Sequence, residues 1–107
     1  MIAVIFEVIP APDARDSYIA KAAGLRPLLD RIDGFLGVER FQSLTDPGKL
    51  LSLSFFRDED AVRAWRETTE HRLAQQAGRS GLFTAYRLRV AEVRREYGLH
   101  DRTEVPG

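Results

Sequence analysis

The chain opens with a run of apolar, mostly β-branched side chains over residues 2–9, interrupted by Glu7. Such a run predicts a β-strand, and Pro10 and Pro12 predict its end, because proline cannot donate a sheet hydrogen bond. Asp13 follows and is predicted to cap a helix, since its carboxylate can accept from the free N–H groups of a first turn. We therefore expect a strand that leads into a helix.

The predicted first helix has apolar residues along one face. They recur at spacings of four, three, four and three, the period of an α-helix, at Tyr18, Ala22, Leu25, Leu29 and Ile32. Pro27 lies inside this pattern and is expected to kink the helix, because it lacks a backbone N–H. Asp33 and Gly34 are expected to end the helix, with Gly34 at a positive φ.

The middle of the chain has the pattern of a β-hairpin. Extended runs over residues 35–44 and 49–56 flank the turn sequence Asp46-Pro47-Gly48. Carboxylates at residues 58–60 then predict a helix start, because a helix N-terminus favours negative charge.

The second predicted helix has Val62, Trp65 and Thr69 on its inner face. Two glycines within residues 75–81 predict that it unwinds there into a loop. Residues 82–93 alternate like a strand, whereas the polar tail from Tyr97 has no periodicity and is expected to fray or to contact a partner. We predict one domain over residues 1–97 and a polar tail over residues 98–107.

The order strand, helix, hairpin, helix, strand predicts an α+β fold, the ferredoxin-like β-α-β-β-α-β arrangement with an antiparallel sheet. Helices cover only one face of such a sheet. In the first strand Ile2, Val4, Phe6 and Val8 alternate with Ala3, Ile5 and Ile9, so neither face is polar. We therefore expect the uncovered face to pack on a second copy, giving a homodimer with a closed barrel across the two sheets.

The amino-acid composition excludes several classes of function. The 107 residues carry sixteen basic and sixteen acidic side chains, so no net charge favours nucleic acid or an anionic membrane. Cysteine is absent from the sequence, which excludes disulfides and thiolate chemistry. The apolar run at residues 1–9 is too short to span a bilayer and lacks the features of a signal peptide. The sequence predicts a cytoplasmic protein with no nucleic-acid or membrane partner.

Familiar catalytic signatures are missing from the sequence, including GxGxxG, the P-loop and GxSxG. His71 and His100 are the only histidines and have no metal-ligand spacing, so we predict no metal site. Candidate chemistry is concentrated at Trp65 and His71. They lie about 240° apart on an ideal helix of 3.6 residues per turn, so they share a pocket only if the helix breaks between them. The β-branched pair Thr68 and Thr69 favours such a break. On the simpler interpretation, Trp65 anchors the core and His71 is an exposed polar residue.

Several stretches resemble the antibiotic-biosynthesis-monooxygenase (ABM) family. They are residues 34–35, 39–43, 47–55, 64–65, 71–72, 75, 78–79 and 86–90, and the resemblance extends over residues 1–97. It implies a dimeric α+β barrel with a pocket between sheet and helices in each subunit. Members include cofactor-independent oxygenases of aromatic polyketides and quinols, haem-degrading oxygenases and proteins of unknown activity.

The resemblance to the polyketide oxygenases implies roles for individual residues. Trp65 would form a pocket wall, and His71 stands where some members carry a tyrosine. A neutral His71 could deprotonate a bound small aromatic molecule, which then reacts with O₂ directly. Arg40 or Arg87 could hold the resulting anion, with Arg87 facing the cavity or the dimer seam. Phe6, Phe55 and Phe83 complete the candidate substrate-binding set, and no cofactor is predicted.

Two alternatives stay open at this point. The same pocket could serve a non-catalytic dimeric module that binds a small ligand or acts in a stress response. The haem-degrading branch instead implies an asparagine near the end of the first strand and an axial histidine nine or ten residues after the tryptophan. Phe6 and Glu7 stand at the first position, and Ala74 and Gln75 at the second. His71 is the only histidine near Trp65, and its spacing is wrong for a haem ligand.

Overall fold

The computed structural model describes residues 1–106, with the backbone alone at residues 76–80. Its strands are β1 (Ile2–Pro10), β2 (Phe35–Gln42), β3 (Leu50–Phe56) and β4 (Phe83–Glu92). Its helices are α1 (Arg15–Gly24), α2 (Arg26–Asp30), α3 (Glu59–Trp65) and α4 (His71–Ser80), and a π-helical segment, Arg66–Glu70, joins α3 to α4. The strands form one antiparallel sheet in the order β2-β3-β1-β4. The predicted ferredoxin-like α+β fold is confirmed.

The pairing register assigns residues to the two faces of the sheet. Phe6 lies opposite Ser52 and Leu88, and Val4 lies opposite Ser54 and Val90. Because directly opposed residues point to the same side, these positions share the face that the helices cover. The core sits on this covered face, in two clusters that include Val8 with Tyr18 and Phe56 with Trp65.

The first helical segment differs from the prediction in two ways. The residue preceding α1 is Ala14, with no side-chain cap, and Asp13 adopts a φ of 64°. The predicted Asp13 cap is therefore wrong, because a tight turn from Ala11 to Ala14 places Asp13 one position too early. Near Pro27 the chain forms two helices rather than one kinked helix. Proline occupies the first turn of α2, where its missing N–H costs nothing.

At two other helix ends the predictions hold in full or in part. Gly34 has the predicted positive φ, 95°, and lies just before β2, but α2 already ends at Asp30. A Cβ there would lie 3.0 Å from Ala61 Cβ, so glycine also permits the close approach of α3. Asp58 caps α3, accepting a hydrogen bond from the Ala61 N–H at 3.0 Å.

The predicted loop over residues 75–81 is wrong, because α4 continues to Ser80 and the turn comes only at Gly81, with a φ of 61°. A single glycine inside a helix costs about 1 kcal/mol, which tertiary packing readily offsets. The part of the tail that the structure describes contains a turn closed by the Gly98 N–H on the Asp101 carbonyl at 2.7 Å. Among the described residues, no helix combines the length and the apolar character needed to cross a bilayer.

Candidate functional site

A small enclosed cavity lies between the covered face of the sheet and the helices. Its floor comes from Phe6 on β1, Val38 and Arg40 on β2, and Ser52 and Ser54 on β3. Its roof comes from the helical layer, namely Tyr18, Ala22, Leu25, Leu29, Trp65, Thr69 and Leu73. The free volume is about 20 Å³, enough for about one water molecule. Any larger ligand would have to displace part of the roof.

The polar floor follows from strand alternation. Arg40 lies directly opposite Ser52, and Val38 lies opposite Ser54. All four side chains therefore point towards the helices, and the two short serines leave space that larger residues would fill. Ser54 is buried although it is polar. The floor thus combines two hydroxyl groups with the guanidinium of Arg40, an exposed residue, beneath a mostly apolar roof.

The roof depends on the π-helical segment. Trp65 ends α3, is buried, and packs on Phe56 at a ring separation of 6.3 Å. The next residues form the wider π turn, in which Thr69 is buried and the Thr68 hydroxyl donates to the Ala64 carbonyl at 2.8 Å. Such a side-chain bond competes with regular helical hydrogen bonding. The predicted break at the threonine pair is therefore wrong, because the chain stays helical and only widens into the π segment between α3 and α4. Segments of this kind are frequent at functional sites.

Tyr18 brings a buried hydroxyl group to the cavity. Its side chain is 1% exposed and packs edge-on against Phe83 at 6.2 Å. Burial raises the pKa of Tyr18, while the charge of Arg40 and hydrogen bonding from it act in the opposite direction. The phenol is therefore neutral near pH 7 and lies within the influence of the Arg40 guanidinium.

His71 lies outside the enclosed cavity, on a groove between the end of α1 and the start of α4. The groove holds about 620 Å³ and is lined by Lys21, Gly24, Leu25, Glu67, His71, Arg72, Leu73 and Gln75. The His71 Nε2 is hydrogen-bonded to the Gln75 amide nitrogen at 3.1 Å, and the side chain is exposed. Leu25 and Leu73 line both the groove and the cavity, so they form the wall between His71 and Trp65.

The structure thus brings together only part of the candidate set. Phe6, Arg40 and Trp65 line the enclosed cavity. Phe83 is buried in the adjoining core against Phe6, at a ring separation of 6.5 Å. Phe55 and Arg87 lie opposite Ala3 and Glu7, on the face of the sheet that the helices leave bare. Their predicted roles at the substrate stay predictions, but they do not share the cavity of Trp65.

Sequence reasoning missed the polar lining supplied by Tyr18, Ser52, Ser54 and Thr69. Tyr18 and Thr69 fit a helical apolar stripe, so they were predicted only as core residues. A usable signal exists at β3, where two serines occupy every second position between Leu50 and Phe56. Serines in place of large apolar residues on a buried strand face indicate a cavity.

The described residues contain no group of three or more histidine, cysteine, aspartate or glutamate side chains placed to hold a metal ion. The cavity lining also includes no histidine. A haem seated there would lack an axial imidazole from the lining, so these residues do not fit that group.

A ferredoxin-like domain with a cavity between sheet and helices is the class of protein that these features define. A family model described as "Antibiotic biosynthesis monooxygenase" matches residues 1–77. The chain belongs to the antibiotic biosynthesis monooxygenase family.

Two curated relatives give the match more detail. The chain is 50% identical over 93 residues to "Jasmonate monooxygenase ABM" from Pyricularia oryzae, which covers 87% of this chain and 43% of the relative. It is 40% identical over 63 residues to "Uncharacterized protein YqjZ" from Bacillus subtilis, covering 59% of this chain and 54% of the relative. The chain therefore spans about half the length of the curated relatives it matches.

Solved structures support the fold. Rv0793 from Mycobacterium tuberculosis superimposes with a TM-score of 0.74 at 24% identity, covering 91% of this chain and 98% of the other. A putative antibiotic biosynthesis monooxygenase from Deinococcus radiodurans gives a TM-score of 0.78 at 11% identity, with coverages of 92% and 98%. At these identities the similarity establishes the fold alone.

Proposed function

We propose that this chain is a cofactor-independent monooxygenase that oxidises a small cyclic substrate of aromatic or quinol type in the enclosed cavity. The observation that carries the proposal is that an aromatic wall, Trp65, and a cation at the exposed edge, Arg40, line one cavity of an ABM-family domain. The half-identical relative named as a jasmonate monooxygenase supports oxygen chemistry on a small cyclic molecule. Jasmonate itself is accordingly a substrate to test.

The reaction needs little chemistry from the protein. An electron-rich anion of the substrate reacts with O₂, the substrate gains one oxygen atom and loses two hydrogen atoms overall, and these hydrogens leave with the other oxygen atom as water. The substrate therefore supplies all the electrons. The protein has to hold the ring in place, favour its ionised form and exclude bulk water. Arg40 on the floor is placed for the second task, through a charge-assisted hydrogen bond to the anion.

The role of His71 as the base requires movement of the cavity wall. His71 lies on the outer groove, and Leu25 and Leu73 stand between it and the cavity. Leu25 occupies the junction of α1 and α2, and Leu73 follows the π segment, so both sit where the helical layer is irregular. Displacement of these two leucines would join the groove to the cavity and give a substrate both room and access to the imidazole.

We further propose that the working form is a homodimer built on the bare face of the sheet. Register places Ile5, Leu51, Leu53 and Phe55 at the centre of this face. Towards its edges the face carries Glu39 and Arg87, as well as an ion pair between Glu7 and Arg89 at 3.3 Å. An apolar centre with a charged rim is the usual arrangement of a protein interface.

A non-catalytic ligand-binding module is the second candidate. One observation favours it, namely that the cavity as it stands is lined by no histidine that could act as a base. The domain could then bind a small apolar ligand in the same cavity without catalysing a reaction of that ligand.

Oxygen uptake separates the two candidates. Purified chain is mixed with jasmonate or with a naphthalene-1,4-diol in an oxygen electrode, and uptake is corrected for spontaneous oxidation. An oxygenase consumes O₂ in proportion to protein, and His71→Ala lowers kcat while His100→Ala, a change in the tail, leaves it unaltered. Binding of these molecules without any protein-dependent uptake would favour the binding module.

A further inference from the structure

We infer that Tyr18 and Arg40 together form an oxyanion-binding site, so that the ligand of the cavity carries a carboxylate or enolate oxygen on a small apolar skeleton. The inference rests on the proposed function only in placing the ligand in this cavity. It assigns a role to Tyr18 and defines the chemical class of the ligand.

Arg40 is the first element of this site. It lies on the cavity floor, and the ion pairs formed among the described residues do not include it. Its sequence neighbour Glu39 points to the other face of the sheet, because successive strand residues alternate. An exposed guanidinium at the edge of a cavity, with no ion-pair partner among the described residues, is available to an anionic group that arrives with the ligand.

Tyr18 is the second element, contributed by α1 on the opposite side of the cavity. Its hydroxyl group can accept a hydrogen bond from Arg40 and still donate its own proton to a ligand oxygen. Arg40 and Tyr18 line the same cavity of about 20 Å³, so the guanidinium and the phenol face one small space. A ligand oxygen between them would therefore receive one bond from a cation and one from a neutral donor.

The remaining lining limits what can carry that oxygen. Phe6, Leu29 and Trp65 present apolar surface, and Ser52 and Ser54 add hydroxyl groups to the floor. A free inorganic anion would leave this apolar surface without a partner, whereas an apolar acid matches both parts of the cavity. A neutral analogue would displace water from the exposed Arg40 without supplying a counter-charge, so it should bind less tightly than the anion.

The chain supplies its own probe for the test. Trp65 is the only tryptophan and lies in the cavity wall, so its fluorescence reports ligand binding directly. Binding is measured without oxygen, which keeps the result independent of turnover. The probes are cyclohexylacetate as a carboxylate, 5,5-dimethylcyclohexane-1,3-dione as an enolate, and cyclohexylacetamide as a neutral analogue close in shape to the carboxylate.

We expect at least one of the two anions to bind more than about tenfold more tightly than the amide, as a charge-assisted bond would give. The stronger of the two identifies the oxyanion as carboxylate or enolate. Arg40→Gln should abolish the preference, and Tyr18→Phe should weaken anion binding by about fivefold, as loss of one neutral hydrogen bond would. Arg63→Gln, at an exposed arginine of α3 that does not line the cavity, should leave all three affinities unchanged.

Equal affinity for the anions and the amide would overturn the inference, and so would an anion preference that survives Arg40→Gln in a variant with wild-type circular dichroism. Absence of binding by all three probes at millimolar concentration would also overturn it. If the anion preference holds but oxygen uptake is absent, the oxyanion site stands and the proposed monooxygenase activity fails.

Discussion

The two faces of the sheet differ in polarity. Burial alone would suggest an apolar face under the helices and a polar bare face, but the difference runs in the opposite sense. The face covered by helices carries Ser52 and Ser54 at its centre and Arg40 on its exposed edge strand, whereas the bare face carries Ile5, Leu53 and Phe55. A face that only stabilised the fold would not place two hydroxyls under the helices, because burying polar groups costs free energy. A face exposed to water in the working form would not carry a contiguous apolar centre. The covered face therefore has the character of a binding site, and the bare face that of an interface.

The largest effect that tests this comparison is expected on stability. It should come from replacing Phe55 and Phe56, which are neighbours in sequence but point to opposite faces of the sheet. Phe56 is fully buried on the covered face, between Phe35 and Trp65. Phe56→Ala should lower the free energy of unfolding by about 3–5 kcal/mol, at any protein concentration, because it empties part of the core. Urea denaturation followed by circular dichroism measures the change.

Phe55→Ala is the matched variant on the bare face. If a second copy covers Phe55, its contribution is linked to dimer formation, so the loss of stability should depend on protein concentration. Denaturation of both variants at two concentrations a hundredfold apart provides the contrast. A loss for Phe55→Ala that is the same at both concentrations would contradict the assignment of this face to an interface.

A charge on the bare face should have the next largest effect. Leu53 lies between Ile5 and Glu39 near the centre of that face. Leu53→Asp places an unpaired carboxylate in the proposed interface, which should raise the dimer dissociation constant by at least about 100-fold. The mass measured by sedimentation should fall from that of a dimer, twice 12.1 kDa, to that of a monomer, 12.1 kDa.

Leu44→Asp is its control, since Leu44 lies in the hairpin loop and is 98% exposed. This variant carries the same chemical change outside the sheet and should sediment like the wild-type chain. A wild-type chain that is monomeric at micromolar concentration would refute the dimer, and so would a Leu53→Asp variant that stays dimeric.

The sequence predicted the fold because each element has a local signal that agrees with the rest. Proline and glycine mark most of the boundaries, and the helical period of Tyr18, Ala22 and Leu29 identifies the covering face of α1 and α2. Local signals were weaker at the ends of elements. Asp13 and Gly78 carry the residue types of a cap and a helix breaker, but the geometry of their neighbours determined the outcome.

The site was harder to predict because it depends on which face of the sheet each strand residue points to. It also depends on how the helices pack over that sheet. Arg40 and Arg87 are equivalent as arginines in edge strands, and only the register of β2 and β4 places one on the covered face and the other on the bare face. Trp65 and His71 are similarly close in sequence. The π segment between them changes the helical phase, and the leucine wall that separates them is formed by residues from two different helices.

The smallest expected effect concerns the ionic cluster that ties the sheet to the helical layer on the covered side. Arg57 follows β3 and bonds Asp33 with two nitrogens at 3.2 and 3.1 Å, and its Nε bonds Asp58 at 3.2 Å. Hydrogen bonding and charge from Arg57 lower the pKa of Asp33. The Ala61 N–H and then Arg57 lower the pKa of Asp58. All these groups are exposed, so the gain in stability should be small.

The direction of its pH dependence follows from the lowered pKa values. A carboxyl group whose pKa is lower in the folded state stabilises that state fully above its unfolded pKa of 3.8, and progressively less as the pH falls through the folded value. Arg57→Met should therefore be less stable than the wild-type chain at pH 6, and the difference should shrink below pH 3.8 as both aspartates are protonated. Arg63→Met removes an exposed pair with Asp60 within α3 and serves as the control, because it leaves the contact between layers intact. The urea concentration at the midpoint of unfolding, measured for the three proteins at pH 6 and at about pH 2.5, shows whether the stability difference shrinks in acid. A deficit for Arg57→Met that persists unchanged in acid would mean that the arginine acts through packing of its aliphatic stem against Gly34 rather than through its charge.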